Sequence, residues 1–236
     1  MDELTFHTRN HRPGTILDVG AHDGLLAIPL ARLPSARVIA FEPLPAAFAR
    51  LRAAVLAEGL PVELRAEALG AAPGRLTLSV PVLEGVPQEQ WASTAKDYGE
   101  FRSVTVQRFE VPVTTVDALN LTDLEHMKVD AEGAEEEVLA GARGTLKRCR
   151  PVLSLEVEER HRAGATRDVP ALLESLGYEV GFWLDGAMRP IRDFDAATMQ
   201  VASPDPAVFG ASEPYVFTFY AWPAERSGEV HRVLTR

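Results

Sequence analysis

The side chains able to do chemistry in this sequence gather at the ends of short apolar runs. The first run closes in Asp18-Val19-Gly20-Ala21-His22-Asp23-Gly24, a D-x-G-x-x-x-G pattern. Gly20 permits a tight turn and lets a ligand approach the backbone, and Gly24 lets the next helix start close to the strand. A dinucleotide fingerprint would need glycine where His22 stands, and no G-x-x-x-x-G-K-[ST] phosphate cradle occurs. The second run ends in Glu42, 18 residues after Gly24. A carboxylate there can accept from both ribose hydroxyls of an adenosine ligand, and it repels a 2′-phosphate. A third run carries Glu67-Ala68-Leu69-Gly70 where an adenine would lie. Glu67 either accepts from an adenine amine or faces solvent. Together these positions suggest an adenosyl ligand without a pyrophosphate, a description that S-adenosylmethionine fits.

Methyl transfer from a sulfonium is an in-line displacement with a good leaving group, so alignment provides most of the acceleration. A hydroxyl acceptor still lacks nucleophilicity, which a base or a metal can supply. Asp130 and Glu132 follow a fourth apolar run, and Glu156, Glu158 and His161 lie on or after a fifth. Asp130 is expected nearest the donor and acceptor, with Glu156 or His161 taking the proton. These acids can also share a hard divalent cation, an option rather than an expectation. Glu132 is equally read as a helix N-cap, His161 as a surface histidine, and Glu135, Glu136 and Glu137 as a solvated helix face. Cys149 has no evident base partner and reads as structural.

An α/β arrangement must position these groups. Strands are expected at 15–20, 37–41 and 62–68, helices at 25–33 and 46–58, with Gly59 as a stop. Strand, helix, strand, helix, strand implies a parallel sheet with right-handed crossovers. Ligands then bind outside the carboxyl ends of the strands, at the switch in strand order. Val104 and Val106, then Val111 and Val113, alternate with polar residues, predicting a β-hairpin in an insertion over 76–114. Between its arms Gln88, Trp91, Ser93, Thr94, Lys96 and Tyr98 read as a loop or lid. The α/β pattern resumes with a strand at 127–130, a helix from about Glu132 to Arg148 and a strand at 151–158. A helix capped by Asp168 and closed by Gly177 comes next, then strands at 178–184 and 215–222. Residues 1–14 read as a polar lead-in to one domain over 15–236.

Of the 236 residues, 46% are hydrophobic and 25% charged, ordinary for a globular protein. A net charge of −10 argues against nucleic acid and anionic membranes as partners. One cysteine excludes an internal disulfide framework. With no apolar run suited to a membrane span or signal peptide, a cytoplasmic protein is expected. No feature specifies an oligomeric state. The acidity is uneven: eight acids fall between Asp117 and Glu137 against one lysine. A cationic donor would favour that field.

Ile16 to Gly24 (ILDVGAHDG), Phe41-Glu42-Pro43-Leu44-Pro45, Ala68-Leu69-Gly70 and Met127 to Glu135 (MKVDAEGAE) resemble the signatures of the FkbM-type S-adenosylmethionine-dependent methyltransferases. The likeness covers roughly residues 13 to 180. The D-x-E-G-A-E piece is the most specific, and His22 stands where that family usually has asparagine. The resemblance implies a single-domain Rossmann-like class I methyltransferase with a mostly parallel seven-stranded sheet and an antiparallel C-terminal edge. It also implies methylation of a hydroxyl on a sugar, polyketide or other small natural-product or glycan acceptor. On that reading Asp18, Gly20, His22, Gly24, Glu42, Glu67, Ala68 and Asp130 hold the cofactor. The alternatives are a nicotinamide-dependent oxidoreductase on the same sheet and a non-catalytic module that binds an adenosyl ligand.

Overall fold

The computed structural model describes residues 1–83, 85–88, 105–201 and 214–234. In chain order the first half contains α1 (Glu3–Arg9), β1 (Gly14–Val19), α2 (Ala27–Leu30), β2 (Ala36–Phe41), α3 (Pro45–Glu58), β3 (Val62–Arg65), β4 (Ala68–Leu69), β5 (Gly74–Leu83), β6 (Val86–Pro87) and β7 (Thr105–Thr114). The second half contains β8 (Leu124–Val129), α4 (Glu135–Ala140), α5 (Arg143–Cys149), β9 (Val152–Glu156), α6 (Ala165–Ser175), β10 (Tyr178–Leu184), β11 (Ala187–Pro190), α7 (Ala196–Met199), β12 (Thr218–Pro223) and α8 (Ser227–Leu234).

The main sheet has eight strands in the order β11-β10-β12-β9-β8-β1-β2-β3. The five from β9 to β3 are parallel, and β12, β10 and β11 add antiparallel pairs. The expected seven strands are present, and β11 extends the edge by one. Leu17, Phe41, Met127, Val129 and Leu153 bury one face under α4, α5 and α6. Ile16, Val38 and Ala40 bury the other under α2 and α3, while Val152, Tyr220 and Trp222 on that side pack with Phe6 of α1 and Val230 of α8. Strand order reverses between β1 and β8, so the crevice expected of such sheets opens there.

Several expected elements fold differently. The lead-in is not loose: Asp2 caps α1, and Phe6 and His7 of that helix are fully buried. Only 27–30 of the expected 25–33 helix is helical, because positive φ at His22 and Gly24 keeps the chain turning and leaves Leu25 87% exposed. The third strand ends at Arg65, and Ala68–Leu69 joins a second sheet of order β4-β7-β5-β6. In that sheet Val106, Val111 and Val113 share the single strand β7, whose hairpin partner is β5, paired from Gly74↔Val113 to Val82↔Thr105. Val104, Trp91, Ser93, Thr94, Lys96 and Tyr98 lie outside the described residues.

The helix expected over 132–148 is two. Gly141 breaks it, since a Cβ there would sit 2.0 Å from the Gly70 carbonyl oxygen. The Asp117 carboxylate then caps the second piece by accepting from Gly144 N (2.9 Å) and Thr145 N (2.6 Å). The strand expected over 151–158 stops at Glu156. Asp168 does not cap α6. Gly164 holds the cap position with φ +83, and Glu159 accepts from Gly164 N and Thr166 N, while Asp168 pairs with Arg162 and Arg167.

Candidate active site

Parallel register fixes the geometry of the crevice. Val19 pairs with Phe41 on one side and Val129 on the other, and Val129 pairs with Leu155. The next residues, Gly20, Glu42, Asp130 and Glu156, therefore emerge side by side at the strand ends. Gly20, Glu42 and Asp130 line a cleft of about 370 Å³ together with Glu67, Ala68, His22, Asp18, Glu132, Lys128 and Glu3, and Glu156 lies behind Asp130. That volume suits a small-molecule ligand.

The Gly20 turn allows close approach. Gly20 has φ +75, and a Cβ on it would fall 2.0 Å from the Asp130 carbonyl oxygen. The His22 backbone N–H donates to Glu42 Oε2 at 2.9 Å, so the turn and the second strand are tied at the ribose position. Glu42 Oε1 also accepts from Leu44 N at 2.8 Å. Burial pushes the Glu42 carboxyl above its ordinary range, and the two N–H bonds oppose that shift. Each oxygen retains a further lone pair for a hydroxyl. The His22 ring is turned toward Asp23 and Arg50, at 3.4 Å from each. Gly24 does not line the cleft; it packs against Leu51 and Ile28, the close helix approach its type suggested. Glu67 lines the cleft and pairs with Arg65 at 3.0 Å.

Lys128 is the hub that the motif reading missed. It lies on β8 with its side chain 9% exposed, and its Nζ donates to the Gly20 carbonyl at 2.7 Å. Asp130 Oδ2 is 3.4 Å away and Asp18 Oδ1 3.6 Å. Burial alone would lower the lysine pKa, but Asp130, Asp18, Glu3 and Glu156 outweigh it and hold the ammonium firmly charged. A lysine between the apolar residues Met127 and Val129 was the available signal, since a buried cation requires carboxylates around it.

Acids and one histidine form the wall beyond Asp130. His161 is not on the surface: its ring is 1% exposed, with Nε2 3.2 Å from Glu132 Oε2 and 3.4 Å from Glu158 Oε1. Glu158 is fully buried, paired twice with Arg160 at 2.7 Å and bonded by the Tyr215 hydroxyl. Burial alone would raise its pKa, but these partners hold it low. Burial, then the charges of Asp130, Glu132 and Glu158, push Glu156 far above the usual carboxylate range. Asp130, Glu132 and Glu156 bring ligand atoms within 4.8 Å of one another, as do Glu156, Glu158 and His161, so either set has metal-ligand spacing.

Glu135 was expected on a solvated face and is instead 1% exposed. Its Oε1 accepts from Ala131 N and Gly133 N, both at 3.0 Å, clasping the loop that carries Asp130 and Glu132. Glu132 takes the left-handed φ of +51 inside that loop instead of capping the helix. The D-x-E-G-A-E pattern thus encodes a loop that its own last glutamate closes.

A protein-family model described as the methyltransferase FkbM domain matches residues 18–180. The chain belongs to the FkbM methyltransferase family. Methyltransferase FkbM from Methylobacillus flagellatus superposes with a TM-score of 0.53 at 16% identity, over 89% of this chain and 44% of that one. This chain therefore spans less than half the length of that protein. An O-methyltransferase from Bacillus cereus, solved in complex with S-adenosylhomocysteine, gives a TM-score of 0.52 at 15% identity, over 93% and 78% of the two chains. At such identities these structures establish the fold. No curated protein matches the sequence. Family membership assigns S-adenosylmethionine as the cofactor and sets aside the nicotinamide-dependent alternative. The cleft fits that cofactor: it has a turn only glycine can make at Gly20, a carboxylate at Glu42 and an acidic field for a cation. No helix among the described residues is long and apolar enough to cross a membrane.

Proposed function

We propose that this FkbM-family protein transfers a methyl group from S-adenosylmethionine to a hydroxyl oxygen of a sugar, polyketide or similar small natural-product or glycan acceptor. When bound, the cofactor supplies a methyl on a positive sulfur whose leaving group is a neutral thioether. The observation that carries the reading is the carboxylate cluster of Asp130, Glu132 and Glu156, of which Asp130 and Glu132 line the cleft beside the Gly20 turn. An acceptor hydroxyl must lose its proton as the new C–O bond forms, and this cluster supplies proton acceptors at that point.

Glu42 and the Gly20 turn would hold the adenosine end, with Glu67 and Ala68 toward the adenine. Asp130 would stabilise the cationic sulfur electrostatically, and its negative field would also repel anionic acceptors. Glu156 is the proton acceptor in this scheme. Burial, then the charges of Asp130, Glu132 and Glu158, raises its pKa in the free protein, and a cation arriving beside Asp130 would favour its ionised, basic form. Glu132 and Glu158 orient His161 against the same wall. Tritiated methyl transfer across a panel of hydroxyl, amine and carboxylate acceptors tests the reading. Label on hydroxyl acceptors, lost in Glu156→Gln while S-adenosylhomocysteine still binds, supports it. Label only on amines or carboxylates refutes it.

A further inference from the structure

The helix α1 precedes the family-matched residues, yet it places a carboxylate in the cofactor cleft. Glu3 lines the same cavity as Gly20, Lys128 and Asp130. Its Oε1 accepts from Ser154 Oγ at 2.6 Å. Asp18, Lys128 and Ser154 sit in one row across β1, β8 and β9 by register, so Glu3, bonded to Ser154, lies against the row whose middle member is Lys128.

Glu3 is held there by a directed chain of hydrogen bonds. The Arg12 backbone N–H donates to His126 Nε2 at 3.4 Å, which assigns the His126 proton to Nδ1. His126 Nδ1 faces His7 Nδ1 at 3.2 Å and donates to it, leaving the His7 proton on Nε2. His7 Nε2 then donates to Ser154 Oγ at 2.9 Å, and Ser154 donates to Glu3. Both rings are fully buried, and burial, ahead of the nearby cations, keeps them neutral, with pKa values lowered to about 3 for His7 and about 2 for His126. Every donor in the relay points toward the Glu3 carboxylate, and the Tyr220 hydroxyl donates to the Met1 carbonyl to tie down the same end of α1.

Around this point one ammonium, Lys128, faces the carboxylates of Glu3, Asp18 and Asp130. A buried excess of negative charge is costly unless a cation joins it. Glu42 and Glu67 lie at the adenosine end of the cleft, and Glu3 and Lys128 lie past Gly20, where the amino-acid tail of the donor must extend. We propose that Glu3 and Lys128 form the subsite for that tail, Glu3 accepting from the α-ammonium and Lys128 pairing with the α-carboxylate. The proposal rests on S-adenosylmethionine as the donor, and the relay through His7 and Ser154 serves as its positioning device.

Calorimetry with two ligands tests it on the full chain: S-adenosylhomocysteine, which has the tail, and 5′-methylthioadenosine, which lacks it. Glu3→Gln keeps an oxygen to accept from Ser154 and removes only the charge. Losing a charge-assisted bond should weaken S-adenosylhomocysteine about 10-fold and leave methylthioadenosine within about 2-fold. Ser154→Ala, which frees Glu3 from its relay, should lower the first affinity by a smaller factor and spare the second; it carries the test if Glu3→Gln does not fold. Equal weakening of both ligands, or no change in either, overturns the subsite. If the unaltered protein binds neither, the cofactor reading itself fails, a result distinct from loss of tail selectivity.

Discussion

Replacing Glu135 by glutamine separates the electrostatic cost of the active-site clasp from its hydrogen bonds. In the folded chain burial outweighs the opposing N–H bonds and raises the Glu135 pKa to about 7, against 4.5 for a free glutamate. Between those values the folded state holds a proton that the unfolded state has released. Stability therefore falls as pH rises through that window, is fully present below pH 4.5 and is reduced to its limit above 7. The shift of roughly 2.5 pH units corresponds to about 3 kcal/mol. Glutamine keeps an Oε1 for both N–H groups, Ala131 and Gly133, and carries no charge. Denaturant unfolding of both proteins at pH 5 and pH 8 should show glutamine gaining on glutamate by about 2.5 kcal/mol across the interval, since pH 5 already lies inside the window. Because Glu3, Asp18, Glu42 and Glu156 are raised in the same direction, only the difference between the two proteins isolates Glu135. If the two stability curves run parallel in pH, the clasp is not a buried, costly carboxyl and the reasoning is wrong.

Three further outcomes follow from the same geometry. Gly20→Ala drives a Cβ into the Asp130 carbonyl at positive φ and should cost about 3 kcal/mol in denaturant unfolding while abolishing S-adenosylhomocysteine binding; a stable variant that binds normally contradicts the turn's role. Lys128→Met leaves Asp18 and Asp130 without their buried cation and should destabilise by about 3–5 kcal/mol at pH 8, less at pH 5, where the carboxyls can protonate. A change that does not vary with pH would count against the ion cluster. Because Glu156 is raised in the free protein, kcat/KM should climb with pH through a pKa well above 4.5. A profile already flat at pH 5 is incompatible with Glu156 as the proton acceptor.

The parts of the fold that were legible in the sequence are those written in local pattern. Gly20 and Glu42 follow buried strands whose ends the apolar runs mark, and the parallel register then sets them side by side. Long-range contacts were not legible. The break at Gly141 depends on Gly70, more than 60 residues away, and on Asp117 capping across the loop. The insertion's hairpin needed the alternation of Leu76, Leu78, Val80 and Val82, which is present in the sequence and pairs with β7. Glu135 misled because three consecutive glutamates suggest a solvated face, whereas the loop's orphan N–H groups recruit the first of them. Glu3 was hidden by the polar character of the first 14 residues, although Asp2, three residues ahead of Thr5, was an available helix N-cap.

Methyl transfer to oxygen within this cleft is the reaction we propose. Incubating the protein with S-adenosylmethionine labelled by carbon-13 at the methyl group, together with polyhydroxylated acceptors, and following the carbon NMR spectrum tests it most directly. A labelled methyl on an ether oxygen, absent with Glu156→Gln, is the predicted result. A label on nitrogen or a carboxylate ester, or transfer that survives Glu156→Gln undiminished, would contradict it.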